Sequence, residues 1–392
     1  MFSIKSKNIR HLNKVFFVAK NREKYYIHKT MTQETPIAGI FIPTMNRVDF
    51  VIRQLRYYAS VKCPHTIYVG DSSPQEESEK IHNEIKNLGH SIKANYYYLP
   101  GYDSWQSHYY LIAQVKEKYI CYSGDDDYQI PDSVTKCIEF LEAHPDYTSA
   151  SGHAVSFRLK QSGPYGSLKR LADYPRQQIE EETGSERIKQ FFRTYFVTHF
   201  SINKTADLTS HWHSAADIKD RPFQAEILPT SLPLIYGKSK ILNCLGFVRQ
   251  IHDSRVIQPS TELDWIANPD WPQSYILFHQ ILSEKLAQKD GIALEEAKQI
   301  IKFAFIYYLA VHLQRNYESA NPPKPKYSFL RPILRLARST ITKIFPFSRY
   351  IYRVHIKPKM SGKKEMHYEI SRTGSSYYND FKPVMDSFSL PS

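Results

Sequence analysis

The chain has 392 residues, 42% of them hydrophobic and 14% aromatic, which is enough for a sizeable core and excludes a disordered chain. Its net charge of +13 is local: of 52 Lys/Arg, twelve fall in residues 322–364, which hold no Asp/Glu, and the remaining 40 face 39 acidic residues. A nearly neutral body argues against nucleic acid as a partner. Four cysteines without a CxxC pair (Cys63, Cys121, Cys137, Cys244) argue against a zinc site or disulfide framework and fit a reducing compartment.

Residues 1–35 form a polar, basic and aromatic extension without evident chemistry. Their apolar run, 15–19, is short and flanked by Lys14 and Lys20, so no secretory signal is expected. No stretch has the length of a transmembrane helix, and the expected location is cytoplasmic. Strands are expected at 37–42 (IAGIFI), 66–69 (TIYV), 95–99 and 119–122, each followed by a stretch with helical spacing: 47–60, 76–88, 105–116 and 133–143. A further strand is expected at 148–157. This alternation predicts an α/β fold, a parallel sheet flanked by helices, with ligands bound beyond the carboxyl ends of the strands. The polar clusters at 43–47, 71–73, 101–105 and 125–127 all lie at such ends and should converge on one rim. Residues 160–184 read as a long loop, 185–200 as a helix, and 205–221 as a loop carrying His211, Trp212 and His213. Residues 223–236 read as a helix bent by Pro229 and Pro233. A probable strand over 247–251 precedes a helical region from 271 to about 316, and Asn321-Pro322-Pro323 marks a boundary. The resulting plan is an extension over 1–35, a main domain over 36–260, a helical region over 261–320 and a basic tail over 321–392.

The stretch 118–128, KYICYSGDDDY, is the focus of the chain. Three adjacent carboxylates, Asp125, Asp126 and Asp127, repel one another unless a cation sits among them, and Mg²⁺ or Mn²⁺ prefers such oxygen ligands. The alternative is a solvated acidic turn.

With FIPTMNR after the first strand, VGDSS after the second and YSGDDDY followed by PDSVTKCIEFLEAHPDY, residues 37 to about 255 resemble a family 2 glycosyltransferase of GT-A fold, from the bacterial subgroup whose acidic loop reads DDD plus an aromatic residue. The resemblance implies a Rossmann-like, mostly parallel sheet. It also implies metal-assisted, inverting sugar transfer (hexosyltransferase type) from a nucleotide-sugar to a glycan or lipid-linked acceptor in surface polysaccharide synthesis. It assigns Pro43 and Thr44 to the nucleotide loop, where a helix cap is the alternative reading. It assigns Asp71 to the base, against a turn role, and Gly101 to the donor site. It puts Asp125 near the ribose, Asp126 beside it and Asp127 on the metal. Arg47 could pair with the diphosphate. His252 is a further possible metal ligand, with Arg249 nearby. Counting back from Gly237 makes Glu226 the base, in RPFQAEILP rather than the family's Glu-Asp pair, with Asp220 as runner-up. His211 and His213 could line the acceptor site, and Trp105 could stack on base or sugar. A nucleotidyltransferase and a non-catalytic nucleotide-sugar-binding module are the rival readings. Residues 329–345 predict a basic amphipathic helix, suited to an anionic membrane surface or to packing on the body, which would make the protein peripheral on the inner face of the plasma membrane.

Overall fold

The computed structural model describes residues 37–253, 261–321, 370–371 and 373–388. By its contacts the chain divides into Met1–Glu34 and Thr35–Ser392, and every described residue belongs to the second unit. The expected N-terminal extension and the basic stretch 322–364 lie outside the described residues.

Four strands build the parallel half of a nine-stranded sheet: β1 (Ala38–Thr44), β2 (Thr66–Asp71), β3 (Lys93–Tyr98) and β4 (Tyr119–Tyr122), in the order β3-β2-β1-β4. β1 and β2 are buried along almost their whole length, which is why they read as unbroken apolar runs rather than as alternations. The sheet continues through β8 (Ile202–Lys204), antiparallel to both β4 and β6 (Tyr147–Leu159). β6 pairs in parallel with β9 (Lys238–Gln250), and β9 carries the two-residue β5 (Tyr128–Gln129) on its far side. β7 (Leu168–Tyr174) pairs with the second half of β6.

Helices follow each parallel strand: α1 (Val48–Ser60), α2 (Gln75–Leu88), α3 (Ser104–Gln114) and α4 (Pro131–Ala143). Pro131 opens α4, where its missing N–H is harmless. An Asp103–Gln106 capping box opens α3. A second layer forms from α5 (Gly184–Arg193), α6 (Thr205–Ser214), α7 (Leu228–Tyr236), α8 (Glu262–Ile266), α9 (Trp271–Asp290) and α10 (Leu294–Ala320). Of these, α5, α7, α9 and α10 share one apolar core. Among the described residues no helix is long and apolar enough to cross a membrane.

Three stretches differ from expectation. β7 lies inside the presumed loop 160–184, where Gly and Pro on its N-terminal side mask a short strand that pairing with β6 stabilises. α6 replaces the presumed loop after residue 204: its Thr, Ser and His are poor helix formers, but burial of Leu208 and Trp212 holds it. The helix expected to run to residue 200 ends at Arg193. The tail is also not all tail, since α11 (Tyr378–Asp386) sends Phe381 and Val384 into the main core beside α1, and Phe388 stacks on Phe157 at 4.4 Å.

β6 and β9 approach most closely at Gly152 and Gly246. A Cβ on Gly152 would lie 2.6 Å from both the Cys244 carbonyl oxygen and the Gly246 nitrogen. Here the register slips, Gly152 facing Leu242 and His153 facing Leu245, so β9 bulges and is re-aimed before it reaches Arg249 and Gln250. Gly152→Ala should therefore destabilise the fold by about 1–3 kcal/mol, read as a lower urea midpoint at unchanged slope.

Candidate active site

The four strand-end clusters meet in one cleft of about 400 Å³. The end of β1 supplies Pro43 and Thr44, the loop after it Arg47, the loop after β2 Ser72, and the loop before α3 Tyr102 and Asp103. The acidic loop Asp125-Asp126-Asp127 forms the floor between β4 and β5.

Two buried side chains of α1 hold the backbone of the acidic loop. The Gln54 amide donates to Ser123 Oγ (2.8 Å) and to the carbonyls of Gly124 (2.9 Å) and Asp127 (2.6 Å). Arg53 reaches the Asp126 carbonyl at 3.1 Å and Gln250 Oε1 at 2.6 Å. Sequence reasoning missed both. The one available signal was a polar pair between Val51-Ile52 and Leu55 on a helix expected to be buried.

The carboxylates share one partner, Arg47, between the first two and otherwise bond to different groups. Asp125 accepts from Thr44 Oγ1 (2.9 Å) and Arg47 (3.1 Å), and Asp126 accepts from the same Arg47 nitrogen (2.9 Å). His252 Nε2 lies 2.7 Å from Asp126, its ring stacked on Phe50, and the Gln250 backbone N–H donates to Asp127 at 3.0 Å. Their protonation diverges accordingly. Burial, reinforced by the Asp126 charge, pushes Asp125 up to about 7 against the pull of Arg47 and Thr44. Burial and Asp126 push Asp127 well above the ordinary range, with Arg249 opposing. At Asp126 burial works the other way from its partners, and His252 and Arg47 together overcome it to hold the group at about 2.

Across the cleft stands Glu226, exposed on a π-helical turn, Phe223–Ile227. Pro229 explains the turn. It has no N–H for the Ala225 carbonyl, which takes the His199 ring N–H instead at 2.8 Å. Glu226 accepts from the Tyr195 hydroxyl at 2.7 Å. Two cations also line the cleft: Arg221, bonded to Ser104 Oγ, and Arg249, packed over the rings of Tyr174 and Phe200 at 5.3 and 5.4 Å. Despite its burial, Asp127 keeps Arg249 firmly charged.

Several expected site residues lie elsewhere. Asp220 is buried away from the cleft, accepting from the Phe223 N–H (3.2 Å) and from Trp265 Nε1 (2.9 Å), so it anchors the turn instead of serving as base. Asp71 is fully buried, accepting from the Ser73 N–H (2.8 Å), Ser78 (2.8 Å) and Tyr96 (2.9 Å), and only its neighbour Ser72 reaches the cleft. His252 has its Nε2 on Asp126 rather than facing an open ligand position. Gly101 makes the left-handed bend (φ +79°) that presents Tyr102. His211 sits on α6, not a loop, buried against Tyr236, while His213 meets the Tyr109 hydroxyl at 3.0 Å. Trp105 stacks on Tyr109 at 5.1 Å.

No protein-family profile and no curated protein matches the chain. Among solved structures it is similar to S. aureus TarS. The match to the 1–349 fragment in complex with UDP-GlcNAc has 13% identity and a TM-score of 0.47, covering 87% of this chain and 98% of that one. The fragment in complex with UDP matches at 14% identity and a TM-score of 0.44, covering 88% and 99%. Against the longer TarS structure the identity is 12% and the TM-score 0.44, over 74% of this chain and 46% of that one, so the chain spans about half its length. At these values the likeness assigns neither residue nor ligand to this chain.

Among the described residues no group of three or more His, Cys, Asp and Glu converges into a ready-made metal cage. The donor set nonetheless fits a hard divalent cation held partly by a ligand's own oxygens. Asp125 and Asp127 line the cleft, and burial with the Asp126 charge opposes their ionisation despite Arg47 and Arg249, so an added cation would favour it. An acid whose folded pKa exceeds its unfolded value of about 4 destabilises the fold as pH rises past that value, with the full effect above the folded pKa. In cation-free protein, Asp125→Asn should therefore melt several degrees above the parent at pH 8, and the gap should close as pH falls toward 4. A constant gap across that window would rule out titration of Asp125 as its source.

Proposed function

We propose that the protein is a glycosyltransferase that moves a sugar from a nucleotide-sugar to a glycan or glycolipid acceptor with inversion, assisted by Mn²⁺ or Mg²⁺, in the synthesis of a cell-surface polysaccharide. The observation that carries the reading is one cleft at the carboxyl ends of parallel strands that brings together the acidic loop and the exposed carboxylate Glu226, while the other lining acid, Asp103, is engaged in capping α3. Transfer with inversion needs two things on opposite sides of the anomeric carbon: charge neutralisation behind the leaving nucleoside diphosphate, and a base in front to take the acceptor hydroxyl's proton.

Each residue has a role in that scheme. The loop Pro43-Thr44 borders the donor, and Arg47 keeps Asp125 and Asp126 in place as well as lining the cleft. Arg249 and Arg221 offer fixed positive charge to the diphosphate. Asp127, with Asp125, would hold the divalent cation, which when bound supplies further positive charge to the leaving group. Glu226 takes the proton, and the Tyr195 hydroxyl fixes the orientation of its carboxylate. The half-buried His108, pushed down to about 4 by desolvation, stays neutral and adds no competing charge to the cleft wall.

Glu226→Gln should leave nucleotide-sugar binding intact, measured by calorimetry, and slow transfer to acceptor by about 10²–10⁴-fold. Full activity in that variant would remove Glu226 as base. Asp127→Asn and chelation of divalent cations should each abolish turnover, with manganese restoring it only to the chelated parent. The released product separates the rival enzyme, since free nucleoside diphosphate marks glycosyl transfer and pyrophosphate marks nucleotidyl transfer. A chain that binds nucleotide-sugar and releases neither is a binding module.

A further inference from the structure

Helix α10 is apolar on two opposite sides. One side, including Ile301, Phe305 and Tyr308, is buried in the core shared with α5 and α9. The other carries Phe303, Ile306, Tyr307, Leu313 and Tyr317, whose spacing places them on a single stripe. Phe303 is 64% exposed and Tyr317 69%, and the other three are at least 37% exposed. At 1.5 Å per residue the stripe is about 21 Å long. A groove of about 400 Å³ borders its N-terminal half, with Lys189 and Arg193 of α5 on one wall and Glu296 of α10 as the acid that lines it. α10 ends at Ala320, and residues 322–364 bring twelve Lys/Arg and no Asp/Glu.

We propose that this face of α10 rests on an anionic membrane surface, its aromatic and aliphatic side chains entering the boundary between headgroups and acyl chains. Charge complementarity selects this occupant. The cations of α5 beside the stripe and the uniformly basic sequence after it attract acidic headgroups and repel a second copy of the same chain. The stripe ends in two tyrosines and a leucine within one run of the helix, and tyrosine tolerates a wet, half-apolar boundary. With no described helix able to cross a bilayer, contact of this kind lies along the surface.

Flotation of the full chain with phosphatidylglycerol-containing vesicles, against pure phosphatidylcholine vesicles, tests the proposal. The parent should float with the anionic vesicles alone. Phe303→Ser/Tyr317→Ser should bind them at least about tenfold more weakly with an unchanged melting temperature. Equal binding by parent and variant would locate any membrane contact outside α10 and overturn the proposal. So would binding of the parent to neither vesicle, or to both alike. A variant that converts a dimer to a monomer would make the stripe a contact between copies. One that melts well below the parent would show it covered by the chain's own basic segment. Either result would also overturn the proposal.

Discussion

Three neighbouring carboxylates at the end of a buried strand are the constraint on which the rest of this structure depends. Left alone they would repel and pull the loop into solvent. They are retained because the surrounding elements divide the work: α1 ties the backbone through Arg53 and Gln54, Arg47 and His252 both bond to Asp126, and the end of β9 donates a backbone N–H to Asp127. The result is one strongly ionised group between two that resist ionisation. Such a set responds to added positive charge, as a site for an anionic ligand with its cation should.

The opposite wall is built by a different device. An ordinary helix would run smoothly from Pro222 through Tyr236, but Pro229 withholds a hydrogen bond and the chain takes one wider turn at Glu226. The carbonyl released by this turn is capped by His199, which burial pushes down to about 3 and keeps neutral, so the turn is stabilised without a charge beside Glu226. Glu226 is thus held by backbone irregularity on one side and by Tyr195 on the other.

Legibility in the sequence followed burial. The strands β1, β2 and β4 are covered on nearly all sides, and their unbroken apolar runs located them almost to the residue. β7 and α6 are half-buried or rich in Ser, Thr and His, and tertiary contacts alone decide them. For the site, residue type and strand-end position pointed to the acidic loop, and the family resemblance pointed to Thr44 and Glu226, all of which line the cleft. Neither guide separated an acid that faces the cleft from one that braces a turn. Asp71 and Asp220 have the same chemistry as Asp125 and Glu226, and only the partners around them (Ser78, Tyr96 and Trp265) show that their oxygens are already engaged. Arg53 and Gln54 escaped notice for the converse reason, polar residues being expected to face water.

The last described stretch has a bearing on how the molecule is made. The aromatic residue of the acidic loop, Tyr128, bonds through its hydroxyl to Ser387 at 2.8 Å, and Phe388 closes the core over Phe157. The backing of the acidic loop is therefore supplied by a residue 259 positions further along the chain. A nascent chain can assemble its parallel strands early, but the acidic loop acquires this support only once Ser387 and Phe388 have been made, which couples maturation of the site to synthesis of a segment far downstream.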